Sequence, residues 1–295
     1  MNKLVKTVLV LLAFTIAIVY AISGYVGWSL THPARQKLAT TPAAVGLQYD
    51  DVVLFSRTDK LTLKGWLIKA PENKLTLICA HGYRQNRAQE SVPLLPIVRT
   101  LADHGINVLM FDFRNSGESA GDITSVGQYE VRDLLGAVDF VHSQPELNQK
   151  IALLGFSMGA AVSILAGEQE STVAAVIADA PFADLTSYLE ANFSVWTDLP
   201  PKPFNKTILD VLPVMTGLNP QAVSPIREVG KFAGRPLLLI HGEADADISI
   251  ENSELLQQAY PDARLVRIPG AQHVKGFATD RELYLKEVLC FLDNL

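Results

Sequence analysis

The strongest chemical signal in the chain is Gly155-Phe156-Ser157-Met158-Gly159, a Gly-x-Ser-x-Gly pentapeptide. Such a string arises by chance in roughly one chain of this length in ten, so its setting carries the argument. The preceding IALLG (151–155) is an apolar run of strand length, and GAAVSILAG (159–167) reads as a helix. A serine on a sharp strand-to-helix turn presents its hydroxyl to a cleft, and glycines two positions away keep side chains out of crowded neighbours. The helix start also aims backbone N–H groups at negative charge developing beside the serine.

A serine hydroxyl becomes a useful nucleophile only when a base takes its proton, and the base needs a carboxylate to orient it. At a turn of this kind the chain order is serine, acid, histidine. Only His241 and His273 follow Ser157. His241 ends PLLLIHG (236–242), ahead of the acidic loop, which is the wrong order for the base. His273 follows the last apolar run, ARLVRIP (263–269), and is the expected base. For the acid, the loop after residue 242 offers Glu243, Asp245 and Asp247. Asp245 is the expected partner, with Asp247 second and Asp179, at the end of VAAVIAD (173–179), a third choice. The groups not chosen read as loop caps or solvated side chains. An oxyanion hole needs two N–H donors. Met158 supplies one, and the loop HGYRQN (81–86) supplies the other, from Tyr83 or alternatively Arg84. The plainer reading of His81-Gly82 is a tight turn.

These residues need a scaffold that gathers them. DVVLFS (51–56) and LTLKGWLIKA (61–70) read as an opening antiparallel pair. LTLICA (75–80), INVLMFD (106–112), IALLG, VAAVIAD, PLLLIHG and ARLVRIP read as further strands. Helical stretches fall near 90–103, over 126–143, after Ser157 and from about 280; in 126–143, Val131, Leu134, Leu135, Val138 and Val141 recur at helical spacing. Continuous apolar strands alternating with helices predict an α/β fold, with a mostly parallel eight-stranded sheet covered on both faces. Residues 183–230 interrupt the alternation with Pro200, Pro201, Pro203, Pro213, Pro220 and Pro225. A structureless loop that long is unusual, so a small cap with helices of its own is expected there. Its aromatic residues, Trp196 among them, either line a pocket or pack the cap onto the body.

Residues 7–30 carry no charge, and at about 1.5 Å per residue a helix of this length crosses a hydrocarbon core of roughly 30 Å. Lys3 and Lys6 precede the run, and Tyr20, Tyr25 and Trp28 fall toward its far end, as in an interfacial belt. The alternative is a signal peptide cleaved after Val19-Tyr20-Ala21, although signal cores usually stop after roughly 7 to 15 apolar residues. The expected organisation is a single-pass transmembrane anchor over 1–30, a stalk over 31–46, and one α/β domain over 47–295 with its cap at about 183–230. Lys3, Lys6 and the amino terminus, set against Arg35 and Lys37, place the catalytic domain outside the cytoplasm.

Composition bounds the function. With 48% hydrophobic and 19% charged residues the chain has ample material for a core. A net charge of -6 without a basic cluster leaves nucleic acid no footprint. Cys79 and Cys290 are the only cysteines and both read as buried thiols. The six histidines lie without zinc-like spacing, so neither metal nor cofactor is expected.

HGYRQN, FDFRNSGES (111–119), GFSMG, IHGEAD (240–245) and GAQH (270–273) occur in the order seen across the α/β-hydrolase superfamily. Over about residues 50–293 the chain resembles that superfamily, and is most similar to single-spanning bacterial hydrolases of the serine aminopeptidase or monoacylglycerol lipase-like type. The resemblance implies the α/β-hydrolase fold, a triad of Ser157, Asp245 and His273, and a turn containing Asp112, Arg114 and Ser119 that supports the active-site floor. The family commonly has a histidine or an aromatic residue before the serine, and here it is Phe156. The implied chemistry is acyl transfer to water from a small carboxylic ester or a lipid-derived acyl group, with peptide or thioester cleavage as alternatives. A non-catalytic binding protein on this fold would have lost one of the three residues, and all three are present.

Overall fold

The computed structural model describes residues 2–295. Its strands are β1 (Asp50–Phe55), β2 (Thr62–Ile68), β3 (Leu75–Ala80), β4 (Ile106–Phe111), β5 (Ile151–Phe156), β6 (Val173–Asp179), β7 (Leu237–Gly242) and β8 (Arg264–Ile268). They form one sheet in the order β1-β2-β4-β3-β5-β6-β7-β8. β2 pairs antiparallel with both β1 and β4, and every later pair is parallel. β3, β4, β5 and β7 are buried at every position. Helices over both faces leave no solvent side, which is why these segments are apolar throughout rather than alternating.

The helices are α1 (Lys3–Thr31), α2 (Leu94–Asp103), α3 (Glu130–His142), α4 (Met158–Gln169), α5 (Leu185–Ala191), α6 (Phe193–Trp196), α7 (Pro201–Thr216), α8 (Pro225–Glu228), α9 (Glu251–Ala259), α10 (Gly276–Thr279) and α11 (Arg281–Asp293). α3, α4 and α9 cover one face of the sheet around Leu134, Val162 and Leu256. α2 and α11 cover the other around Ile97, Leu101 and Val288. This is the α/β-hydrolase arrangement that the resemblance implies.

α5 to α8 are inserted between β6 and β7. Proline at the first position of α7 costs no hydrogen bond, and Gly217, at φ +71°, closes that helix in the left-handed conformation. Phe193, Ile208, Leu212 and Leu218 make a small apolar cluster within the insertion. α1 is long and apolar enough to cross a membrane, and its most apolar 18-residue stretch is wholly unburied. Toward its end Ser23, Gly24, Gly27 and Thr31 are buried. Small residues there let α7 approach closely: a Cβ on Gly27 would stand 3.1 Å from Leu212.

One expectation needs correction. Cys79 is buried in β3, and burial pushes its thiol up to about 12, but Cys290 is exposed. α11 buries Tyr284, Val288 and Leu292 at four-residue spacing, and position 290 falls on the opposite side of that helix.

Buried charge ties together the loops that leave β3 and β4. Asp112 accepts from the Arg87 backbone N–H at 2.6 Å and from its guanidinium at 2.5 Å. The two side chains are 0% and 3% exposed. The Glu118 N–H adds a third bond at 2.9 Å, across a turn where a Cβ on Gly117 would lie 2.2 Å from the Asp112 carboxylate. The Ser119 hydroxyl donates to the Asp112 carbonyl at 2.6 Å, and Arg114 donates twice to the buried Asp133 carboxylate at 2.9 and 2.7 Å. Removing one member of a buried ion pair costs about 3–5 kcal/mol when the other charge is stranded, and Arg87 would be left with only the exposed Glu118 carboxylate, which places the cost toward the lower end. Asp112→Ala is therefore predicted to lower unfolding free energy by about that amount, read from urea melts. Wild-type stability would show that the pair does not hold these loops.

Candidate active site

β5 delivers Ser157 to the edge of the sheet at φ 53°, ψ −117°, a conformation disfavoured for any residue with a side chain. Three contacts enforce it. The Ser157 N–H donates to the Asp179 carbonyl at 2.8 Å. A Cβ at position 155 would stand 2.1 Å from the Gly159 carbonyl, and one at position 159 would stand 2.1 Å from the Ala80 carbonyl. Both glycines of the pentapeptide are thus required by the backbones they touch.

His273, in the loop after β8, bridges Ser157 and Asp245. Its Nε2 lies 2.9 Å from Ser157 Oγ, and its Nδ1 lies 2.7 Å from Asp245 Oδ2. A carboxylate can only accept, so Nδ1 carries the proton and Nε2 is left to accept from the serine hydroxyl. The other oxygen of Asp245 accepts from the backbone N–H groups of Asp247 and Ile248 at 3.0 and 2.9 Å. Burial opposes charge on Asp245, but the His241 ring, whose Nε2 lies 3.4 Å from Oδ2, the hydrogen bond and charge of His273 and the Ile248 N–H outweigh it and hold the carboxyl below its usual range. Asp247 and Glu243 are exposed on the same loop. His241 is fully buried, accepting from Ser253 at 2.7 Å and donating to the Ile248 carbonyl at 2.8 Å, so it braces the acid loop.

Asp179 ends β6, and among the described residues it makes no ion pair with a lysine or arginine. The Tyr284 hydroxyl donates to it at 3.0 Å. Burial pushes its carboxyl up to about 6 against the pull of that hydrogen bond.

The loop after β3 lies across Ser157: a Cβ on Gly82 would stand 3.5 Å from the serine Cβ. His81 Nε2 accepts from the Phe113 N–H at 3.0 Å, so its Nδ1 donates to the Gly82 carbonyl at 2.8 Å. Burial lowers its pKa, which favours that neutral form. Among the described residues, neither the Tyr83 nor the Met158 backbone N–H donates to an acceptor within the protein. Arg84, the alternative donor, is exposed and at φ 59°.

Cap aromatics expected either to line a pocket or to pack the cap, Trp196 and Tyr188 among them, lie beside this loop together with Phe182. The Tyr83 and Tyr188 rings each pack edge-on against Trp196, and Tyr188 stacks on Phe182. Among the described residues the buried Trp196 indole nitrogen has no hydrogen-bond partner. Burial and the nearby Asp247 and Asp245 charges push the Tyr188 hydroxyl well above its usual range. Beside His273 a depression of about 340 Å³, lined by Ala244, Ala246, Asp247, Gln272 and Lys275, opens to solvent. Among the described residues no group of three or more His, Cys, Asp or Glu side chains is arranged to hold a metal ion.

The family model described as serine aminopeptidase, S33, matches residues 71–234. The chain is 30% identical over 236 residues to the uncharacterized protein YqkD of Bacillus subtilis (strain 168), spanning 79% of this chain and 76% of that one. It is 33% identical over 254 residues to the uncharacterized protein YfhR of Escherichia coli O157:H7, spanning 81% and 79%. Among solved structures it is similar to the Pyrococcus furiosus esterase Pf2001, with a TM-score of 0.76 and 28% identity over 90% of this chain and 98% of that one.

The state of Asp179 has a measurable consequence. Its folded pKa of about 6 lies above the ordinary 3.8, so between those values the folded protein holds the proton that the unfolded chain has released. Stability from this group is full below pH 4 and is lost as pH rises through 6, by up to roughly 3 kcal/mol. Asp179→Asn cannot ionise, so its stability relative to wild type should improve by up to that amount between pH 4 and pH 8. Parallel urea melts at the two pH values check this, and a pH-independent difference would mean that Asp179 ionises normally.

Proposed function

Because the chain belongs to the serine aminopeptidase S33 family of α/β-hydrolases, we propose that it is a serine hydrolase that cleaves carboxylic esters or related acyl bonds through an acyl-enzyme. The observation that carries this reading is the His273 ring held between Ser157 and Asp245 at 2.9 and 2.7 Å. Ser157 Oγ attacks the acyl carbonyl while His273 Nε2 takes its proton. Asp245 stabilises the resulting imidazolium and keeps the ring oriented. The N–H groups of Tyr83 and Met158 receive the tetrahedral oxyanion. His273 then protonates the leaving group, and a water activated by the same imidazole releases the acid and regenerates the serine. No step calls for a cofactor.

The substrates proposed are carboxylic esters of modest size or lipid-derived acyl groups, taken beneath a cap formed by α5 to α8. Support comes from the aromatic surroundings of Tyr83 and from the position of the cap beside α1. Val214 and Met215 on α7 are 87% and 44% exposed, and Met215 lies against Gly24 of α1. A groove of about 920 Å³ between α1 and the cap is lined by Tyr20, Pro203, Leu209 and Pro220, with Lys202 and Lys206 balanced by Glu190 and Asp210 and Lys206 paired to Asp210, so its apolar side chains rather than a net charge support a lipid-derived acyl group. On this reading α1 is a retained single-pass anchor and the catalytic domain lies outside the cytoplasm. The family's name supports a second reading, cleavage of peptide bonds, by the same three residues.

Matched oxygen esters of rising chain length, thioesters and aminoacyl amides, assayed with full-length protein, separate these readings. Oxygen esters are predicted to show the highest kcat/KM, and Ser157→Ala to lower it by about 10⁴-fold or more with the unfolding temperature unchanged. Preference for aminoacyl amides would favour the peptidase reading, and ester turnover surviving the substitution would remove Ser157 from the mechanism.

A further inference from the structure

An anchor needs only one covalent link to the domain it carries. Here the segment from Ser23 to Ala39 is sewn to three different parts of that domain. The Leu30 carbonyl accepts from the Tyr83 hydroxyl at 2.5 Å. The Thr31 carbonyl accepts from the Thr124 N–H at 2.7 Å. Arg35 donates to the Ser119 carbonyl at 2.5 Å and also to that of Gly121. Asn86 donates to the Lys37 carbonyl at 3.2 Å, and the Ala39 N–H donates to Glu90 at 3.0 Å. On the cap side the Ser23 and Thr207 hydroxyls are 2.6 Å apart, and Gly24 and Gly27 seat the side chains of Met215 and Leu212.

The partners are not scattered. Tyr83, Asn86 and Glu90 lie in the loop after β3 that crosses Ser157, and Ser119, Gly121 and Thr124 lie in the loop after β4. Asp112 holds the first loop from beneath through Arg87. Leu30 holds it from the other side, through the tip of the tyrosine whose backbone N–H is the assigned oxyanion donor. The Tyr83 ring also leans edge-on against Trp196 at 5.4 Å between centroids, so one side chain touches anchor, cap and oxyanion loop together. An oxyanion donor acts only if held within a fraction of an ångström of the developing charge.

We infer that the exit end of α1, with the segment to Ala39, positions the Tyr83 N–H against Ser157 and the cap over it, so that acyl transfer depends on how the anchor is seated. The Tyr83 hydroxyl, Gly27 and the Leu30 carbonyl are the positioning groups. This rests on the serine-hydrolase reading above and goes beyond it, because it makes the anchor part of the active-site wall.

The test uses the full-length protein in detergent with an oxygen ester as substrate and a fluorophosphonate to count competent sites. Tyr83→Phe removes only the hydroxyl and leaves the ring on Trp196. It is expected to lower kcat about tenfold, a fraction of the about 10²–10³ that loss of a whole donor costs, with KM within about twofold and the labelled fraction at completion unchanged. Gly27→Val acts from the anchor side, since its added carbons meet Leu212, and kcat is again expected to fall. Because both changes release the same loop, the double variant should be about as slow as the slower single one. Wild-type kcat in Tyr83→Phe overturns the inference. So does a reduced labelled fraction with normal kcat per labelled site, which is the signature of a folding defect alone. Multiplying effects in the double variant separate the anchor from the loop and overturn it as well. A wild-type protein that neither hydrolyses nor labels removes the hydrolase reading, and this inference falls with it.

Discussion

One imidazole ring has to satisfy two partners at once, and the rest of the molecule is arranged around that demand. His273 lies 116 positions from Ser157 and 28 from Asp245 in the chain, yet its two nitrogens meet both within hydrogen-bond distance. Parallel strands make this possible, because the loops that leave β5, β7 and β8 all emerge at the same edge of the sheet. β6 lies between β5 and β7 and sets the spacing across which the ring reaches. Its last residue, Asp179, accepts the N–H of Ser157 and fixes the turn that carries that serine.

The same edge gathers several carboxyl groups, and their surroundings sort them into different roles. Asp112 is matched by an arginine and becomes a structural pin between two loops. Asp245 has two backbone donors, a hydrogen bond from His273 and the His241 ring 3.4 Å away, so it stays charged despite burial and can balance an imidazolium. Asp179 is as deeply buried, its carboxylate hydrogen-bonded by the Tyr284 hydroxyl alone among the described residues, and burial outweighs the pull of that bond and of the nearby histidines, so its proton is held more tightly. A carboxyl group that resists ionisation is a poor partner for a ring that must become positive. Electrostatics, as well as chain order, therefore favours Asp245 over Asp179 as the acid.

The sequence exposed those parts of the design whose causes are local. Gly155 and Gly159 are legible because a crowded turn excludes side chains at fixed offsets from the serine. The fully buried strands are legible because losing both solvent faces leaves a continuous apolar run. His273 could be reached by chain order and elimination, since only one other histidine follows Ser157. Contacts between residues far apart in the chain leave no such trace. Nothing in the spacing of Arg87 and Asp112, 25 positions apart, announces an ion pair, and the hydroxyl beside Asp179 comes from a residue 105 positions away. The apolar run also hides a packing surface, since Ser23, Gly24, Gly27 and Thr31 look like ordinary small residues until α7 is seen against them. The exposure of Cys290 is not legible in composition, which says nothing about which side of a helix faces water.

The chemical competence of the Ser157–His273–Asp245 arrangement can be read most directly by locating a covalent adduct. After exposure of folded, full-length protein to a fluorophosphonate, peptide mapping by mass spectrometry should find one modified residue, Ser157, and His273→Ala protein should remain essentially unmodified over the same time. An adduct on another residue, or equally fast modification of Ser157 without the histidine, would contradict the account.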